Sequence, residues 1–343
     1  MATVIESLNN ALKTALEKDR RVLILGEDIL DPYGGAFKVT RGLSSTFPDQ
    51  VLTTPVSEAG IVGIATGMAL RGFRPIVEIM FGDFVTLAAD QLINHATKFR
   101  YMYNEQVRVP IVIRTPMGGR RGYGPTHSQT IEKLFMGVPN LNIFAPNIFI
   151  DPGELLLNSI FSVDDPVLYV ENKIQYTQIL VNEHDLQDFI ITQTDPHPAR
   201  IKEAKHKFAS PTQLSLRDSP PPIVTIATYG YMADLCRHAA LRLAYEDEIF
   251  IDIILFSQLL PLDISSIYQS LQTTKRLLVV EEGTATSGWG AEVITSCMEQ
   301  FGALHPQVRR VASMDSPIPA SSTLEQALLP GIEDIILAVK KMV

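Results

Sequence analysis

Short apolar runs alternating with helix-length segments constrain the fold of this 343-residue chain more than any other feature. Val22–Leu25 ends at Gly26, Val51–Thr54 at Pro55 and Leu141–Ala145 at Pro146; Pro75–Phe81, Val109–Arg114 and Pro166–Glu171 are runs of the same kind. Brief apolar runs closed by glycine or proline read as buried strands. Between them the patterning predicts helices over residues 1–19, over Ala36–Phe47, from Glu58 onward, along residues 82–102, from near Ser128, and over Asp151–Val163. Strand and helix in alternation predict a parallel, doubly wound sheet. The pattern breaks at residues 178–222, which are polar and end in Pro220-Pro221-Pro222. A structureless connection of that length is unusual inside one domain, so it reads as a linker. Beyond it Ile223–Ala227, Ile249–Leu255, Leu277–Val280 and Val308–Ala312 predict strands. Met232–Tyr245, Asp263–Gln272, Trp289–Phe301 and Leu324–Lys341 predict helices. The expected fold class is α/β with two doubly wound domains, 1–177 and 223–343, and no sequence repeat relates them.

Composition narrows the function classes. With 46% apolar and 20% charged residues, a sizeable core is assured. A formal net charge of −9 argues against an extended nucleic-acid surface. The two cysteines, Cys236 and Cys297, have no metal-ligand spacing. No apolar run approaches the ~20 residues of a membrane span. The first helix carries acids as well as lysines, unlike a signal peptide. The expectation is a soluble, cytoplasmic protein with no nucleic-acid or membrane partner.

Two strand-to-helix junctions carry the chemistry. In Ser57–Gly72 the apolar, small-residue pattern places Glu58 in the first turn of a helix. Such a carboxylate is ordinarily a favourable dipole placement, worth ~0.3–1 kcal/mol. Beside Ala59, Gly60 and Ile61, however, it sits in an apolar setting suited to proton exchange with a ligand. Gly60, Gly63 and Gly67 in the same helix cost up to ~1 kcal/mol each relative to alanine, so they mark close packing against something. Phe81 and Phe84 flank Gly82-Asp83 at a strand end, where one ring can stack on a flat heterocycle instead of filling core. In Gly124–Glu132, His127 follows a loop containing Gly118, Gly119, Gly122 and Gly124, through which backbone can approach a ligand. A histidine there is either structural or catalytic, and the glycines favour catalysis. No GxxxxGK[ST] loop, no GxGxxG after the first strand, no GxSxG elbow and no Cys/His/acid cluster is present. Gly26-Glu27-Asp28 and Gly82-Asp83-Phe84 lack the asparagine of a magnesium–diphosphate signature. Acid, aromatic and histidine without an anion cradle make half a site, so another chain is expected to supply the rest.

These residues resemble the β subunit of the thiamine-diphosphate-dependent decarboxylating component of 2-oxoacid dehydrogenase complexes, of pyruvate or branched-chain type. The matching stretches include LGEDI at 25–29, TTPVSEAGIVGIATGMALRGFRPIVEI at 53–79, FGDF at 81–84, VPIVIRTPMGG at 109–119 and GYGPTHSQTIEKLF at 122–135. DDPVLYVENK at 164–173, VVEEG at 279–283, GWGAEV at 288–293 and SPIPASSTLEQALLP at 316–330 also match. The resemblance spans nearly the whole chain apart from the linker. It implies a pyrimidine-binding domain followed by a transketolase C-terminal-type domain. It implies that Glu58 hydrogen-bonds the aminopyrimidine nitrogen of thiamine diphosphate, favouring the imino tautomer that takes the thiazolium proton. Phe84 would stack on the pyrimidine, with Phe81 a second candidate, and His127 would move a proton during acyl transfer. An α subunit would carry magnesium and diphosphate in an assembly of two α and two β chains, with a lipoyl or other carrier-protein domain as acyl acceptor. Potassium on the backbone carbonyls of Ile160, Phe161, Val163 and Asp165 is also implied.

The linker departs from the family pattern. So does Leu255-Phe256-Ser257-Gln258-Leu259-Leu260, where the family often has Asp-Leu-Arg before Pro-Leu-Asp. Arg120 and Arg121 add charge beside His127, either as a solvated pair or to meet a phosphate or carboxylate. Two other functions stay open: a split transketolase-like subunit moving a two-carbon ketol unit from a ketose phosphate, and a non-catalytic assembly subunit.

Overall fold

The computed structural model describes residues 2–182, 186–193 and 207–343. They form two compact units: the chain up to Gly118 with Leu134–Leu180, and Gly119–Lys133 with Val181–Val343.

The first unit opens with α1 (Val4–Lys18), started by a capping box in which Thr3 and Glu6 satisfy each other's backbone N–H. There follow β1 (Val22–Gly26), α2 (Leu43–Thr46), β2 (Val51–Thr53), α3 (Glu58–Leu70) and β3 (Arg74–Glu78). Then come α4 (Thr97–Met102), β4 (Val112–Met117), β5 (Asn142–Phe144), α5 (Pro152–Ser162) and β6 (Val167–Asn172). Its strands lie side by side as β5-β6-β4-β3-β1-β2, and every pairing is parallel. All of β1 and β4 is buried, which explains why these strands read as unbroken apolar runs. Thr115 of β4 is one polar exception, 0% exposed, and Arg114 is the other, 1% exposed within this sheet. Its Nε and Nη2 donate to Glu171 of β6 at 2.7 and 2.9 Å, and its Nη1 donates to Glu78 of β3 at 3.0 Å. Tyr176 donates to the same Glu171 at 2.5 Å. Burial pushes the Glu78 carboxyl up, and the Arg114 charge opposes that.

The second unit holds β7 (Phe189–Gln193), β8 (Thr212–Leu216), β9 (Val224–Tyr229), α6 (Met232–Asp247), β10 (Ile251–Phe256), β11 (Gln258–Leu260) and α7 (Ser265–Thr274). It continues through β12 (Arg276–Thr284), α8 (Trp289–Phe301), β13 (Gln307–Ser313), α9 (Ser322–Leu328) and α10 (Ile332–Lys340). The sheet order is β13-β12-β9-β10-β8-β7, with β8 antiparallel to both β10 and β7 and the other pairings parallel.

Several expectations change here. Within residues 178–222, β7 and β8 pair in register as the edge of the second sheet, so this stretch is not wholly a linker; residues 183–185 and 194–206 lie outside the described set. Ala36–Phe47 is helical only at Leu43–Thr46, because Asp31 gathers the N–H groups of Gly42 and Ser45 and both serine hydroxyls into a turn. Residues 82–102 are helical but broken into 3₁₀, π and α pieces. No α-helix starts near Ser128; a single 3₁₀ turn, Glu132–Phe135, follows instead. The predicted helix over Leu324–Lys341 is two, α9 and α10, parted at Pro330-Gly331. Cys236 and Cys297 are buried free thiols.

Candidate active site

From β1 the first unit's chain steps outward to β2, then returns past β1 to β3. Loops leaving the carboxyl ends of β1 and β3 therefore diverge, and this is where open α/β sheets bind ligands. Glu27 follows β1 at that point, Phe81–Phe84 follow β3, and Glu58 opens α3 after β2.

Glu58 is 7% exposed. The side chain of Ser57, at the N-cap of α3, makes no capping bond, while its backbone N–H donates to the carboxyl of Glu27. Burial, then the charge of Glu58, pushes Glu27 above the usual carboxylate range. Oε1 of Glu27 is buried without a hydrogen-bond partner among the described residues. Sequence reasoning missed Glu27. A signal was present: Gly26 closes an apolar run directly before an acid, and a Cβ on Gly26 would lie 2.9 Å from the Glu78 carbonyl.

Phe81 and Phe84 are half-buried and meet edge to face at 5.8 Å; Phe81 also meets Phe37 edge to face at 5.6 Å. Between them Gly82 has no room for a side chain, since a Cβ would come 2.3 Å from Cγ of Met117. Two buried or half-buried carboxyls, one with an orphan oxygen, beside a braced aromatic pair fit a flat, nitrogen-bearing heterocycle such as the pyrimidine of thiamine diphosphate.

The turn after α5 fits potassium poorly. Arg74 Nη1 donates to the carbonyls of Ile160 at 2.7 Å and Val163 at 3.5 Å, and its Nη2 pairs with Asp164 at 3.0 Å. Arg100 takes the Asp165 carboxylate at 2.8 Å. A potassium ion held by Ile160, Phe161, Val163 and Asp165 would share its oxygens with a guanidinium already in place. Among the described residues no group of three or more His, Cys, Asp or Glu side chains could hold a metal ion.

His127 belongs to the second unit, whereas Glu58, Phe81 and Phe84 belong to the first. It is half-buried, with its Nδ1 2.9 Å from the Thr126 hydroxyl. Arg120, expected as a solvated or ligand-facing charge, turns inward: its Nη2 donates to the Pro330 carbonyl at 2.7 Å, and its guanidinium lies 5.4 Å from the Tyr231 ring. Arg121 is exposed.

Residues 1–178 match the family model for the transketolase pyrimidine-binding domain, and residues 215–335 that for the transketolase C-terminal domain. Over 99% of its length the chain is 35% identical to the mitochondrial pyruvate dehydrogenase E1 component subunit beta-1 of Arabidopsis thaliana, covering 88% of that protein. It is also 35% identical to pyruvate dehydrogenase E1 component subunit beta of Rickettsia bellii, covering 98%. The chain belongs to the E1 β-subunit family. This is a family of thiamine-diphosphate-dependent 2-oxoacid dehydrogenase subunits built from transketolase-type domains. A solved split-gene transketolase, described as an inactive β4 tetramer, superposes with a TM-score of 0.75 at 18% identity, covering 100% of this chain and 98% of that one; this likeness concerns the fold. Among the described residues no helix is long and apolar enough to cross a membrane.

Proposed function

We infer that the chain works as the β half of an enzyme that decarboxylates a 2-oxo acid, pyruvate being the substrate named for its relatives, and passes the acyl group to a carrier thiol such as a lipoyl domain. The observation that carries this reading is the buried Glu58 beside the orphan oxygen of Glu27, at the point where the first sheet reverses direction. When bound, thiamine diphosphate supplies the electron sink that a 2-oxo acid needs to lose carbon dioxide. Glu58 would hydrogen-bond the pyrimidine ring nitrogen; a hydrogen bond involving a charged group is worth ~1.5–3 kcal/mol, enough to bias a tautomer. Glu27, its carboxyl pushed up by burial and then by the charge of Glu58, keeps its own proton more readily beside that site. Phe84 gives its face to the pyrimidine, and Phe81, wedged between Phe37 and Phe84, holds that ring in place. His127 is oriented through Nδ1 by Thr126 and exchanges a proton through Nε2 during acyl transfer.

Diphosphate and magnesium belong, on this reading, to an α subunit, in an assembly of two α and two β chains. The exposed face of α3 supports such a partner: Gly60, Ile64 and Gly67 lie open to solvent, as do Tyr101, Met102 and Tyr103 at the end of α4. Potassium forms no part of the reading because Arg74 already supplies a cation to that turn. The split-transketolase alternative retains a likeness in fold alone.

Calorimetry with thiamine diphosphate and magnesium tests the half-site. Tight binding is expected only when the α subunit is present, and Glu58→Gln in that complex should lose most turnover. Tight binding by the chain alone, or unchanged turnover in Glu58→Gln, removes the assignment.

A further inference from the structure

Within the second unit the segment carrying His127 is held at both ends by carboxylates. Glu325 of α9 is 2% exposed, and its two oxygens accept the backbone N–H groups of Arg120 at 2.7 Å and Gly122 at 3.1 Å. Glu282 of β12, 5% exposed, accepts the N–H of Gly119 at 2.8 Å and faces the Thr130 hydroxyl at 3.5 Å and Arg120 Nε at 3.8 Å. At the far end Tyr229 donates to Glu132 at 2.5 Å, and Lys133 donates to the Thr286 carbonyl at 2.6 Å.

The clamp dictates a conformation that this sequence does not favour unaided. Arg120 has φ +68°, which an L side chain rarely adopts, and Gly122 and Gly124 have φ +69° and +76°. Two N–H groups aimed at one carboxylate form a concave anion nest, and a buried carboxylate left without them would be costly. A side chain at Gly119 would crowd the clamp: a Cβ there would come 2.6 Å from Leu329 Cδ1 and 3.1 Å from the Glu325 carboxylate.

We propose that Glu325 is a positioning residue for His127, its carboxylate fixing the Arg120–Gly122 turn from which the chain enters the histidine, with Glu282 holding the two ends of the segment together. The carboxylate touches no substrate. It acts by holding the imidazole where acyl transfer needs it, so the proposal rests on the role of His127 given above.

The test uses the complex reconstituted with its α subunit and compares Glu325→Gln, an isosteric change that turns an amide N–H₂ toward a backbone N–H, with His127→Ala. Decarboxylation of pyruvate is followed with an artificial electron acceptor, acyl transfer with a lipoyl domain, and amide hydrogen exchange over residues 119–124 by mass spectrometry. Misplacement on the ångström scale lowers rates ten- to a hundredfold, so Glu325→Gln should cut acyl transfer by at least about tenfold while decarboxylation stays within about twofold. Exchange at Arg120 and Gly122 should quicken by at least about tenfold as the turn opens. Unchanged exchange overturns the proposal, as does a fall of both half-reactions together, which marks a merely structural residue. If His127→Ala shows no split between the half-reactions, the role of His127 falls, while the exchange measurement still decides whether Glu325 sets the turn.

Discussion

Glu281 shows how one buried side chain ties stability to pH. It is fully buried in β12, where burial pushes its carboxyl up to about 7; the Gly290 N–H opposes this, the charge of Glu132 adds to it, and Arg310 and Lys133 lower it. One oxygen accepts the Gly290 N–H at 3.1 Å, and the other has no hydrogen-bond partner among the described residues. The fold therefore favours the protonated acid over the ionised one. Its stabilisation is complete below the unfolded value near 4.5 and is lost as pH rises to about 7, roughly 3 kcal/mol in all. Glu281→Gln should flatten the fall in melting temperature between about pH 5 and about pH 8, with its largest gain at the alkaline end. Parallel profiles for the two proteins would remove this assignment. Glu58 was legible as a candidate from its helix-start position together with its apolar neighbours, whereas Glu281, Glu282 and Glu325 were not. They are ordinary acids in sequence, and only the backbone groups folded around them make them matter.

Helix α3 shows what a single element reveals. Its small residues pointed to close packing, yet the structure opens Gly60, Ile64 and Gly67 to solvent, and a Cβ on Gly67 would have nothing within 4 Å. Alanine in place of glycine in a helix gains up to ~1 kcal/mol. Gly67→Ala should therefore raise the melting temperature of the isolated chain while weakening its association with the α subunit, measured by calorimetric titration. Unchanged association would show that this face meets no partner. Element types were mostly legible because apolar runs and glycine or proline stops are local signals. Misreadings fell where distant groups override propensity: Asp31 turning residues 42–45, and β8 recruited antiparallel to β10 from a stretch that reads as linker.

For the whole molecule, the half-site reading predicts an assembly with two copies of this 38.0 kDa chain and two of an α subunit. Light scattering on the mixed chains should report that mass, and a species unchanged by adding the partner would overturn it. The sequence by itself determined the α/β class, the family, and the identity of Glu58, Phe81, Phe84 and His127 as candidates, because alternation, glycine placement and contiguous motifs are written along the chain. Tertiary structure alone decided that Glu27 joins Glu58 at the switch point, that Arg120 faces inward, and that Arg74 sits on the turn expected to hold potassium. It also decided that the histidine segment is fastened to the second unit. The reason is physical: burial and hydrogen bonding act between groups far apart in the chain, and a side chain's charge and orientation are set by the neighbours that folding gives it.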